Sequence, residues 1–225
     1  MTFNIKTGSL SSLEAIAAII ERSGADLVGV QEVDRGTRRS GGADQPARLA
    51  ALTDMQVHFT PALRDYDGGQ YGLVVLARRG LAVLSSHGRE LDQVEPGETR
   101  AAQVVELAAG GGAGQRFTFI NTHLDHRSTR NRAVQATQLN RLGRAAALLQ
   151  PALLVGDLNA TDGGETLSII REFWTPPREQ LFGIDWIVHH GERWHATDVR
   201  ELGEQDHPRA RDASDHVPVI ADYEL

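Results

Sequence analysis

The sequence contains no cysteine, which excludes disulfides, thiolate metal sites and cysteine nucleophiles. Lysine is almost missing as well: Lys6 is the only one, so the positive charge is nearly all arginine. Arginine suits bidentate phosphate contacts, but a genome-wide compositional bias explains the excess equally well and is the reading we favour. Aromatic residues make up only 5% of the 225 positions, and no apolar run is long enough to span a bilayer. The first residues lack the basic, apolar and small-residue succession of a signal peptide. With no cysteine to need an oxidising compartment, the expectation is a soluble, cytoplasmic protein. A formal charge of −7 argues against a general nucleic-acid surface, which needs a basic face.

What is present reads as one domain over residues 1–225, with strands dominating and helices interspersed. Strands are predicted at 1–5, 25–33, 56–60, 71–78, 81–86, 102–108, 116–123, 152–158, 184–190 and 217–223. Ser11 and Glu14 fit a capping box opening a helix that Gly24 stops. Asp44 and Pro46 open a second helix through Leu52. Residues 129–149 form the longest helical candidate, with Leu139, Leu142, Ala146 and Leu149 on one stripe. Residues 35–46 and 201–214 read as polar loops. Strands joined by short turns, with occasional helices, predict a mixed α+β layered sandwich rather than a parallel doubly wound sheet.

The polar residues fall at the ends of apolar runs. Asn4 lies in the first strand, Gln31 and Glu32 end "DLVGVQE", and Asn121 and His123 end "FTFINTH". Asp157 and Asn159 end "LLVGDLN", Asp185 lies in "GIDWIV", and Asp215 with His216 precede "VPVIADY". Any one of these could be a hydrogen-bonded core group or a turn residue. Repetition across six strands points elsewhere, because clustered carboxylates are costly to desolvate without a cation among them. Glu32 and Asp215, with the neutral oxygen of Asn4, offer hard ligands that suit Mg²⁺ or Mn²⁺. Zinc fits less well, since there is no His-x-x-x-His pair; His189, His190 and His195 read as surface residues near a hairpin.

"TFNI", "VQEV", "NTHL", "GDLNA", "IDWIV" and "SDHVPV", in this order from residue 2 to about 222, resemble the endonuclease/exonuclease/phosphatase superfamily, the deoxyribonuclease I-like group. "EVDRGTRRSGGADQ" is similar to small bacterial members described as metal-dependent hydrolases. The resemblance implies a four-layer α/β/β/α sandwich of two mixed, mostly antiparallel sheets, with metal-dependent cleavage of a phosphate ester at one rim.

It also implies roles. Asp157 would activate the attacking water, and Asn159 would hold that water or a phosphoryl oxygen. Asn4 and Glu32 match the metal pair, and Asp215 helps hold the metal. His216, oriented by Asp185, and His123 would contact phosphoryl oxygens, with Asn121 supporting the site. Arg100 either reaches the phosphate or is a surface arginine at a strand start. For Tyr71, beside the substrate in relatives, core packing is the favoured reading. The arginines of "HRSTRNR" read as a solvated helix start. Two departures stand out: Asn4 lies only three residues from the start, where relatives have a longer strand, and "NIKTG" puts Lys6 where bacterial relatives carry "NIHHG".

The function expected is therefore a Mg²⁺- or Mn²⁺-dependent phosphodiesterase or phosphatase acting on a small or lipid-derived ester. The alternative is a DNA nuclease of the exonuclease III type, disfavoured by the short, acidic, aromatic-poor chain. A non-catalytic binding module with the same fold is the second alternative.

Overall fold

In a computed structural model of the chain, residues 1–110, 114–177, 180, 183–191 and 194–224 are described. Alternation along the strands dictates the layering. In strand β8 (Ala152–Asp157), Leu153 and Val155 face one way and Ala152 and Leu154 the other. Both faces are apolar, so the strand needs cover on both sides. The same holds for β7 (Arg116–His123), with Phe117 and Phe119 on one face and Ile120 on the other.

Eleven strands among the described residues form two sheets. Besides β7 and β8 they are β1 (Thr2–Asn4), β2 (Leu27–Arg35), β3 (Gln56–Tyr66), β4 (Gly69–Ala77), β5 (Ala82–Leu91), β6 (Arg100–Ala108), β9 (Asp185–His190), β10 (His195–Glu201) and β11 (Val219–Glu224). One sheet runs β10-β11-β1-β2-β4-β3 and the other β5-β6-β7-β8-β9. Each has one parallel pair, β1 with β2 and β7 with β8, and all other pairings are antiparallel. The parallel pairs are those whose strands are separated by a long helix, α1 (Leu13–Ser23) or α3 (Thr129–Ala147), since a parallel pair needs a crossover.

The sheets face each other through Val75, Val105, Phe119, Val155, Ile187 and Val219. Helix α1 and helix α2 (Gln45–Thr53) cover the six-stranded sheet, burying Ile16, Ile19, Ile20 and Leu49. Each isoleucine of α1 contributes about 1.5–3 kcal/mol by leaving water. Helix α3 and the short α4 (Glu165–Ile170) cover the other sheet with Ala136, Leu139, Leu167 and Ile170. This is the expected four-layer sandwich.

Gly29 of β2 lets the layers close, because a Cβ there would sit 2.5 Å from Val155 Cγ2 and 2.8 Å from Asn121 Oδ1. Gly24 ends α1 in the left-handed conformation, as the sequence predicts.

Several local expectations are corrected. Ser12, not Ser11, caps α1, accepting from the Ala15 amide. Helix α3 stops at Ala147, so Leu149 leaves the stripe and is 83% exposed. Strands β3 and β5 run several residues further than predicted, while α4 and β10 were not anticipated. Period-two alternation is weak in β5 and β10, which lie at sheet edges and have little to bury on one side. Residues 202–213 form no strand, but Leu202, Ala210 and Ala213 are buried against the outer core and anchor the segment preceding Ser214.

Candidate active site

Strand alternation carries polar side chains into the gap between the sheets at one end. In β8 the inward set is Leu153, Val155 and then Asp157; in β7 it is Phe117, Phe119, Asn121 and His123. Register does the rest. Asp157 lies opposite His123 on one side and opposite Asp185 on the other. Because β1 and β2 are also parallel, with Asn4 opposite Gln31, the carboxyl ends of both parallel pairs meet at the same rim.

Asp157 is the centre. Its Oδ2 accepts from Asn4 Nδ2 at 3.1 Å and lies 3.4 Å from His123 Nε2 and 3.6 Å from His216 Nε2. Its Oδ1 accepts from the Asn159 amide at 2.9 Å. Asn159 adopts φ 48°, a left-handed conformation that asparagine tolerates, and donates one amide hydrogen to the Leu124 carbonyl. Burial, reinforced by the Asp185 charge, pushes the Asp157 carboxyl up to about 6.

His216 Nδ1 lies 2.7 Å from Asp185 Oδ2. Burial alone would lower its affinity for a proton; the Asp185 hydrogen bond and the charges of Asp185, Asp157 and Asp215 outweigh burial and push it up to about 9. His123 behaves oppositely: burial and the Arg100 charge hold it well below the ordinary range, so it is a neutral imidazole. The two histidines flanking Asp157 therefore carry different charges.

Glu32 reaches the site through a backbone irregularity. It sits at φ 58°, where the β2–β4 register shifts between Val30 and Val33. A left-handed glutamate is uncommon and costs on the order of 1–3 kcal/mol, the kind of strain that collects at functional sites. The bulge turns Glu32 to the rim, where its Oε1 accepts from Asn4 Nδ2 at 2.9 Å. Asn4 thus joins Glu32 to Asp157 through its amide nitrogen, while its oxygen accepts from the Lys6 amide at 3.0 Å.

Asp215 faces a different partner. Lys6 Nζ lies 2.5 Å from its Oδ2, and this pair is partly exposed. The Lys6 hydrogen bond and charge outweigh burial and hold the Asp215 carboxyl below its usual range. Ser214 Oγ donates to the Asn4 carbonyl at 2.7 Å, tying the 214–216 turn to β1.

The remaining nominated residues lie around this centre. Asn121 is fully buried one layer deeper. It accepts from Gln31 Nε2 at 2.7 Å and donates to the carbonyls of Val30 and Val74, so it ties the sheets together and offers no exposed atom to a substrate. Tyr71 is buried beside Glu32, Arg100 and Glu98, and burial raises its phenol. Arg100 is only 3% exposed, which removes the surface-arginine reading. Arg127 and Arg130 are exposed, in line with a solvated helix start. His195 is exposed, but His189 and His190 are half-buried, against Tyr223 and Phe173. The sequence reading places Gln31 at the end of an apolar run without giving it a role, and it misses Glu98 and His126, which nothing local flags.

The donor set fits a divalent cation. The carboxylates of Glu32, Asp157, Asp185 and Asp215 face two cationic side chains, His216 and Lys6, leaving negative charge unbalanced. Buried Asp185 Oδ1 has no hydrogen-bond partner. Asp157, Asp185 and His216 place ligand atoms within 4.8 Å of one another. In that trio His216 already supplies one positive charge, so the side of Asp157 toward Glu32 is the better place for hard oxygen ligation.

Comparison with known proteins agrees with this fold. No curated protein matches the chain. A functionally unknown conserved protein from Enterococcus faecalis V583 superposes with a TM-score of 0.82 at 22% identity, covering 99% of this chain and 97% of that one. The mannosyl-6-phosphatase of Bacteroides thetaiotaomicron VPI-5482 gives 0.72 at 16% identity, covering 100% and 98%. The human Nocturnin catalytic domain, with a bound sulfate anion, gives 0.75 at 18% identity, covering 98% and 89%. Among the described residues no helix is long and apolar enough to cross a membrane. The sequence itself matches the Endonuclease/Exonuclease/phosphatase family over residues 1–216, and the chain belongs to that family.

Proposed function

We propose that residues 1–225 form one cytoplasmic catalytic domain that hydrolyses a phosphate ester with the help of Mg²⁺ or Mn²⁺. A small or lipid-derived mono- or diester is the favoured substrate class. The observation that carries this reading is the surrounding of Asp157 Oδ2 by Asn4, His123 and His216, all three presenting nitrogens to one carboxylate oxygen. The family supports it, as do a relative named as a mannosyl-6-phosphatase and another holding a sulfate anion.

Asp157, with its carboxyl near 6, is ionised at neutral pH yet basic enough to take a proton from an attacking water. Asn159, fixed by its own backbone hydrogen bond to Asp157, has a second amide hydrogen with which to orient that water. The water oxygen forms the new bond to phosphorus while the bond to the alcohol oxygen breaks. The imidazolium of His216 and the neutral Nε2–H of His123 donate to the non-bridging oxygens as their charge grows. Asp185 keeps His216 protonated and correctly turned. A divalent ion held by Glu32, with Asn4 beside it and Asp215 nearby, would neutralise phosphoryl charge and stabilise the departing alkoxide.

The test is a panel of mono- and diesters that includes a lysophospholipid and an abasic DNA duplex, with Mg²⁺ or with EDTA. Turnover that EDTA stops and Asp157→Ala abolishes is expected. Robust activity in EDTA would overturn the metal requirement. Salt-sensitive incision of the duplex alone would replace the small-ester reading with a nuclease. A melting shift with Mg²⁺ but no turnover of any ester would leave a binding module.

A further inference from the structure

Arg100 opens β6 with its guanidinium inside the protein. Nη1 lies 3.2 Å from His123 Nδ1 and Nη2 lies 2.9 Å from His126 Nδ1. Glu98 Oε1 is 2.8 Å from Nη1, a charge contact that balances the buried cation. A guanidinium has donors and no acceptor, so both ring nitrogens facing it must accept. Each ring then carries its proton on Nε2, on the side away from Arg100. For His123 that nitrogen points at Asp157 Oδ2, 3.4 Å away. His126 is exposed, and with its Nδ1 on Arg100 its Nε2–H lies on the far side of the ring.

The loop leading into Arg100 is itself clamped. Asn131 accepts from the amides of Val94 and Glu95 and donates to the Glu95 carbonyl and to Asp125 Oδ2. Asp125 also accepts from the amides of Arg127 and Ser128, fixing the turn that carries His126. Both sides of the Arg100–His126 contact are therefore held by one buried network.

We propose that Arg100 is a positioning residue that locks His123 and His126 as a pair of Nε2–H donors. The inner donor serves the phosphoryl group, and the outer one binds an oxygen of the substrate's alcohol portion. The pairing rests on the phosphate-ester reading for what the donors bind, but not for their geometry. Arg100 then acts through two imidazoles, and the specificity contact is His126.

Two measurements on the full chain test this without requiring turnover. In ¹⁵N-histidine NMR of the wild type, His123 and His126 should both show a protonated Nε2 and a bare Nδ1. Arg100→Gln should release at least one ring into a mixture of tautomers. A protonated Nδ1 on either wild-type ring, or unchanged tautomers in Arg100→Gln, would overturn the pairing.

In calorimetry with Mg²⁺, His126→Ala should weaken sn-glycerol 3-phosphate binding about fivefold, the worth of one hydrogen bond, and leave inorganic phosphate within about twofold. His126→Gln, which keeps a nitrogen donor, should restore most of the loss. Equal weakening of both probes, or of neither, would overturn the specificity role. Failure of the wild type to turn over any ester would sink the functional reading, while the NMR measurement would still decide the pairing.

Discussion

His216 Nδ1 and Asp185 Oδ2 stand 2.7 Å apart although 31 residues separate them, and this contact sets the charge of the imidazole facing Asp157. The folded protein binds the His216 proton more tightly than the unfolded chain does, with a midpoint of about 9 against an ordinary 6.5. The resulting stabilisation is complete below pH 6.5 and is lost as pH rises through about 9. In EDTA, wild-type stability should fall more across that window than that of His216→Gln. In Asp185→Asn, the His216 midpoint read by NMR should drop back toward 6.5. An unmoved midpoint would mean that Asp185 does not hold the proton.

Asp157 has the opposite sign. Its carboxyl is raised from 3.8 to about 6, so ionising it costs the folded state stability above pH 6, and that cost vanishes below 3.8. Asp157→Asn should therefore lose turnover and yet gain roughly 1–3 kcal/mol in urea unfolding at pH 7.5 in EDTA. A variant less stable than the wild type would show that the carboxylate is well accommodated as an anion.

Glu32 separates strain from ligation. Glu32→Gly should relieve the left-handed backbone and stabilise the metal-free protein by about 1 kcal/mol. Mg²⁺ should raise the melting temperature of the wild type, while Glu32→Gly and Glu32→Gln should show little or no shift. A full Mg²⁺ shift in Glu32→Gln would remove Glu32 from the metal site.

The metal role proposed for Asp215 makes its partner Lys6 a competitor of the ion. In Lys6→Ala, the Mg²⁺ concentration giving half the maximal melting shift should fall about two- to fivefold, a modest change because the pair is solvent-exposed. Weaker Mg²⁺ binding in this variant would mean that Lys6 supports the metal site rather than opposing it.

Much of the fold and of the inner site was legible because alternation is a local property. Once β7 and β8 are recognised as strands, His123 must share a face with Phe119 and Asp157 with Val155. Helices between β1 and β2 and between β7 and β8 already demand parallel pairs. Edge strands were read poorly: β10 has little to bury and left no period to find. The stripe through Leu149 failed because periodicity does not say where a helix stops.

The amino-acid order alone determined which side chains enter the gap between the sheets, since every second residue of a strand faces the same way whatever surrounds it. Only the tertiary structure decided which of them meet. Asn4 reaches Asp157 across 153 residues, and Lys6 finds Asp215 across 209. Glu32 arrives through a bulge, and Arg100 is buried by a loop that Asn131 pins. Those contacts depend on sheet register and on packing between distant segments, which no local period encodes.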